Sequence, residues 1–103
     1  MLKVVLLCAG GASTGMLAKK MEEVGQQVKL DCQVSAYGVA QAATVGQEAD
    51  VIMLGPQVGY QLKDVQKQVP DKPVVVIDML DYGRMNAKKI LSQAVKTYKE
   101  AKK

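Results

Sequence analysis

Apolar positions along this chain fall into two spacings, runs or alternation in some segments and three-and-four recurrence in others. Lys3–Cys8 carries the aliphatic run Val4, Val5, Leu6, Leu7 and reads as a strand covered on both faces. Leu17, Met21, Val24 and Val28 follow at helical spacing, which predicts a helix over 13–26 weakened at its end by Gly25. From Val28 to Ala36 alternate positions are apolar, predicting a second strand that is exposed on one side and so lies at a sheet edge. An Ala-rich stretch over 38–48 reads as a helix, Asp50–Leu54 as a short buried strand stopped by Gly55-Pro56. Val58, Leu62, Val65 and Val69 mark a third helix ending before Pro70, and Val74–Ile77 a fourth strand. The last segment is the clearest, because Ala87, Ile90, Leu91, Ala94, Val95, Tyr98 and Ala101 form one stripe of a long amphipathic helix.

Strands alternating with helices imply a parallel sheet with right-handed crossovers. The expected fold class is α/β, a four-stranded parallel sheet in the order 2-1-3-4 with helices on both faces, of the flavodoxin or low-molecular-weight phosphatase kind. In such sheets ligands bind beyond the carboxyl ends of the strands, where the strand order reverses. Here that place is the end of strand 1, at Cys8. With 103 residues and neither linker nor repeat, one domain over 1–103 is expected.

Composition narrows the chemistry. The chain has no histidine, which removes imidazole acid–base catalysis and histidine metal ligands. Its two cysteines, Cys8 and Cys32, lack the spacing of a zinc site, so neither metal nor cofactor is expected. The net charge of +4 is unevenly spread: residues 84–103 hold seven basic residues against Glu100, while residues 1–83 hold seven basic and nine acidic ones. Basic residues late in a helix complement its dipole and solvate its outer face. With no Trp or Phe for base stacking, nucleic acid is not an expected partner. The apolar run near the N-terminus is too short for a secretory core, the residue before Cys8 is Leu rather than the small residue of a lipoprotein, and no stretch approaches a membrane span. A cytoplasmic protein with reduced thiols, most simply a monomer, is expected.

The chemistry-bearing segment is Cys8-Ala9-Gly10-Gly11-Ala12-Ser13-Thr14-Gly15, which leaves strand 1 and enters helix 1. Small residues let a backbone wrap an anion while successive N–H groups and the helix N-terminus face it. Ala9, Gly10, Gly11, Ala12, Ser13, Thr14 and Gly15 are therefore the expected phosphate-binding residues, with a sulfur at the mouth of the cradle. A nucleoside-triphosphate loop needs Gly-Lys-Ser/Thr and this loop has no lysine; a dinucleotide fingerprint needs glycine where Ala12 stands. The Cys-x5-Arg loop of low-molecular-weight phosphatases and arsenate reductases has its arginine where this chain has Thr14. Without that bidentate clamp on the equatorial oxygens, the loop suits a phosphoryl carrier better than a hydrolase.

Taken together, the cysteine loop 8–15, Leu54-Gly55-Pro56-Gln57-Val58-Gly59-Tyr60, and Val76-Ile77-Asp78 with Tyr82-Gly83 resemble the IIB components of bacterial sugar phosphotransferase systems of the lactose/cellobiose (chitobiose) type. The resemblance implies that Cys8 accepts a phosphoryl group from phosphohistidine of a IIA partner. It also implies onward transfer to a sugar of the cellobiose, chitobiose or lactose kind held by a membrane IIC partner. A thiol of ordinary pKa is only about 3% thiolate at neutral pH. Loop amides, the helix N-terminus and the Ser13 and Thr14 hydroxyls are the groups available to stabilise the attacking form.

Other residues have plainer readings beside functional ones. Cys32 fits the apolar phase of strand 2 and is read as core. Asp78, at the end of strand 4, either takes part at the site or caps helix 4. Gln57, Tyr60 and Tyr82 are candidate partner or site-rim residues, and Met16 and Met79 a candidate apolar rim. Two alternatives stand beside the carrier: a cysteine phosphatase or arsenate reductase, and a non-catalytic anion-binding module. The latter would survive Cys8→Ser.

Overall fold

In the computed structural model residues 1–9 and 12–101 are described, with backbone alone at 12 and 13. Four strands, β1 (Leu2–Cys8), β2 (Cys32–Gly38), β3 (Val51–Leu54) and β4 (Val74–Val76), form one sheet in the order β2-β1-β3-β4. All three pairings are parallel. Helices α1 (Ala12–Gln27) and α5 (Ala87–Ala101) pack on one face, and α2 (Ala42–Val45) and α3 (Leu62–Gln68) on the other. A short α4 (Met79–Gly83) links β4 to α5.

The aliphatic run of β1 explains its central place. Leu2, Val4 and Leu6 point into the layer under α1 and α5, while Val5 and Leu7 point into the layer under α2 and α3. β3 divides in the same way, Val51 and Met53 to one side and Ile52 and Leu54 to the other. A fully buried Leu or Ile contributes about 2 kcal/mol, so a strand filled on both faces gains twice per pair of residues. β2, with its alternating pattern, lies at the edge as expected.

Four segments depart from the sequence reading. Strand 2 starts at Cys32 rather than Val28, because the residues before it close α1. Lys29 adopts a left-handed conformation (φ 57°), its N–H donates to the Gln26 carbonyl at 3.2 Å, and the Leu30 N–H donates to that of Gly25 at 2.8 Å. This double bond is a Schellman closure, and it takes up Val28–Leu30. The expected helix over 38–48 is broken into 3-10 turns at Val39–Gln41 and Gly46–Glu48 around the four residues of α2. Close packing fits that irregularity, since a Cβ at Gly46 would stand 2.9 Å from Val69 and 3.0 Å from Ile52. The third helix likewise begins as a 3-10 stretch, Pro56–Gln61, kinked at Val58. α4 was absent from the sequence pattern altogether.

No described helix is long and apolar enough to cross a membrane.

Candidate functional site

The register of the sheet assembles the site. Cys8 is the last residue of β1, opposite Gly38 of β2. On its other side the Gly55 N–H donates to the Leu7 carbonyl at 2.8 Å, and the Ile77 N–H donates to that of Leu54 at 2.8 Å. The segments leaving β1, β3 and β4 therefore start side by side at one edge, where the strand order reverses.

Within that edge the side chains of Cys8 and Thr14 are paired. Cys8 Sγ lies 3.0 Å from Thr14 Oγ1, and Thr14 is fully buried while Cys8 is only 5% exposed. Thr14 stands in the first turn of α1 and Cys8 at the tip of β1, so the strand and helix are joined by a thiol–hydroxyl contact across the loop. The sequence offered the Ser13 and Thr14 hydroxyls alike as partners of the sulfur, and the distance from the Thr14 hydroxyl is a tertiary fact. Gly15 follows in α1 with open space where a side chain would begin. Gly10 and Gly11 lie outside the described residues, as do the side chains of Ala12 and Ser13.

Gln57 comes close to the same place. A Cβ built on Gly55 would meet Gln57 Oε1 at 3.2 Å and Cys8 Cβ at 3.6 Å. Gly55 is thus hemmed between the cysteine and the glutamine, and a larger residue would push them apart. Asp78 is exposed and its carboxylate is committed to α4, with Oδ1 accepting from the Leu80 N–H at 2.9 Å and the Asp81 N–H at 3.3 Å. The capping alternative thus goes to Asp78, but for the short α4. The cap of the long α5 is Asn86, whose Oδ1 accepts from the Lys89 N–H at 3.3 Å.

The tyrosines separate. Tyr60 is 81% exposed and its hydroxyl accepts from Gln61 Nε2 at 3.1 Å, whereas Tyr82 is half-buried against the layer under α1 and α5. Met16, Met79 and Leu80 are all well exposed, and like Tyr60 they stand on segments that leave the carboxyl ends of the strands. Leu80 had no place in the sequence reading because the helix that presents it was not expected. Cys32 lies at the far end of β2, partly buried against the core. Burial first, then the nearby carboxylates of Glu22 and Asp31, push its thiol pKa up. Among the described residues no cluster of three His, Cys, Asp or Glu is placed to hold a metal ion.

Comparison with known proteins gives the family and the fold. Residues 3–93 fit the family described as "PTS system, Lactose/Cellobiose specific IIB subunit". The chain is 34% identical over 97 residues to the oligo-beta-mannoside-specific EIIB component of Bacillus subtilis, covering 92% of this chain and 94% of that one. It is 35% identical over 98 residues to the cellobiose-specific EIIB component of Lactococcus lactis, covering 88% and 91%. In structure it resembles the cellobiose-specific phosphotransferase IIB component of Borrelia burgdorferi, with a TM-score of 0.81 at 26% identity, covering 97% of this chain and 94% of that one. The chain therefore belongs to the lactose/cellobiose-specific IIB family of the sugar phosphotransferase systems.

Proposed function

We propose that this chain is a cytoplasmic phosphocarrier, in which Cys8 takes a phosphoryl group from phosphohistidine of a IIA partner and passes it to a sugar bound by a membrane IIC partner. The observation that carries this reading is the contact between Cys8 Sγ and Thr14 Oγ1 at the edge where the strand order reverses.

Two displacements at phosphorus make the relay. In the first, the Cys8 sulfur attacks the phosphorus of phosphohistidine, an S–P bond forms, the N–P bond breaks, and the electron pair returns to the imidazole nitrogen. In the second, a sugar hydroxyl oxygen attacks the same phosphorus, an O–P bond forms, the S–P bond breaks, and the sulfur leaves as thiolate. The hydroxyl proton leaves to a base on the membrane partner. Thr14 acts at both ends of the cycle, since its hydroxyl donates to the sulfur when that atom is charged. The backbone from Ala9 to Gly15 supplies the donors for the three equatorial oxygens, on which charge is spread during transfer.

Two features support a carrier over a hydrolase. A hydroxyl stands where the phosphatase loop has arginine, so no guanidinium is present to draw the phosphoryl group toward water. The sulfur is also nearly buried, which restricts access by solvent. The exposed Met16, Tyr60, Met79 and Leu80 offer partners apolar contacts on the segments that leave this edge, and Gln57 lies near Gly55 and Cys8.

Intact-mass measurement tests the reading. Wild type and Cys8→Ser are incubated with phosphoenolpyruvate, the general phosphotransfer proteins and a IIA component. One added phosphoryl group on the wild type alone, dependent on IIA, is expected. No adduct together with turnover of a phosphate ester or arsenate would overturn it in favour of the hydrolase or reductase class.

A further inference from the structure

On the side of the molecule covered by α1 and α5, the last turn of α1, the residues that close it and one face of α5 along 88–100 enclose an open groove of about 690 Å³. Its floor is apolar, formed by Val24, Leu30, Leu91 and Val95, and Val28 stands 58% exposed at its margin. Val28 is thus a large exposed hydrophobic that lies outside the carboxyl edge. The catalytic cysteine proposed above is a strand length away, roughly 20 Å, so the groove has no part in the chemistry.

The rim decides what fits. Lys88, Lys96 and Lys99 border the groove against the single acidic Glu100. At 100° per residue the three lysines fall within one stripe of α5 spanning 88–99, roughly three turns or about 16 Å. A concave apolar trough between two helices accepts a convex ridge about one helix wide, and a flat bilayer surface does not enter it. A second copy of this chain is disfavoured by charge, because it would bring lysine against lysine.

We infer that this groove is a second docking site, and that its occupant is an acidic amphipathic helix of a partner protein. The helix presents apolar residues at i, i+3 or i+4 and i+7 to the floor and Asp or Glu to the three lysines. Such a site leaves the Cys8 edge free while a partner is held, which raises the effective concentration of the proteins that meet there in turn.

The test uses the full chain, 15N-labelled, and two synthetic helical peptides with the same leucine ridge, one flanked by Glu and the other by Lys. The Glu peptide is expected to shift the amides of Val24, Val28 and 91–99 while leaving Cys8 and Thr14 unmoved. Its affinity is expected to fall about tenfold between 50 and 300 mM salt, as pairing with exposed lysines requires. In the double variant Lys96→Glu, Lys99→Glu the preference is expected to invert toward the Lys peptide, with thermal melting unchanged. Equal binding of both peptides, shifts at the Cys8 edge instead, no binding, or response only to phosphatidylglycerol vesicles would each overturn the proposal. Phosphorylation of Cys8 by IIA, read on the same samples, reports separately on the carrier function.

Discussion

The two cysteines of this chain sit at opposite ends of the sheet, and their surroundings differ in the groups that face the sulfur. Cys8 ends the central strand, where three loops begin together, and a buried hydroxyl lies 3.0 Å from its sulfur. Cys32 opens the edge strand at the other end of the sheet. Its thiol packs against α1 so tightly that a Cβ on Gly25 would stand 2.6 Å from the sulfur. Around Cys8 the neighbouring polar group can donate a hydrogen bond to a charged sulfur; around Cys32 burial and two carboxylates oppose the charge. Residue type is the same at both positions, and position in the topology supplies the difference.

The largest effect that would break this contrast is on transfer. Thr14→Val keeps the volume of the buried side chain and removes its hydroxyl. Phosphorylation by IIA is expected to slow about 10- to 100-fold, the size of a lost hydrogen bond to a charged group, while Thr14→Ser recovers most of the rate and Cys32→Ser leaves it unchanged. Stopped-flow or rapid-quench kinetics would read all three, and an unaffected Thr14→Val would remove the hydroxyl from the mechanism.

Stability gives the next effect. Asp78→Ala removes the cap of α4 and is expected to cost about 1 kcal/mol, or about 4–8 °C in melting temperature. Asp78→Asn keeps an accepting oxygen and is expected to melt near the wild type. If Asp78→Asn instead abolished transfer with normal melting, the carboxylate would belong to the site and the reading of Asp78 as a cap would be incomplete.

The smallest effect sharpens the picture at Cys32. Glu22→Gln removes a charge but keeps the oxygen that accepts from the Val34 N–H at 3.0 Å. Alkylation of Cys32 near pH 8 is expected to accelerate a few-fold in this variant, without change at Cys8. The sign of the pH effect follows from the raised pKa: the folded chain keeps a proton that the unfolded chain gives up above its ordinary value of 9.0. The stabilisation is complete below that value and is lost as the pH rises through the folded one. The stability difference between wild type and Cys32→Ser should therefore narrow on the alkaline side, as measured by urea melts at increasing pH.

Much of the architecture could be read from local pattern. The run Val4–Leu7 required two covered faces, the alternation read over Val28–Ala36 required one, and the stripe from Ala87 to Ala101 required a helix against a sheet. These are periodicities, set by how a strand or helix presents its side chains. The missed pieces depend on contacts distant in sequence or on end geometry. α4 is five residues long and rests on the Asp78 cap and a closure in which Met85 takes a left-handed conformation (φ 51°). Such short elements leave no period to detect. The break at Gly46 reflects Ile52 and Val69, six and 23 residues away in the chain but close to it across the layer.

By itself the sequence determined the class of fold, the strand order and the cysteine that ends the first strand before a loop of small residues, because these follow from side-chain spacing and from what small residues permit a backbone to do. Only the tertiary structure decided how near the Thr14 hydroxyl stands to the sulfur, which carboxylate is consumed by a helix end, and where α1 and α5 leave an apolar groove bordered by lysines. Those outcomes depend on how separate elements pack, and packing distances of a few ångströms are properties of the assembled molecule.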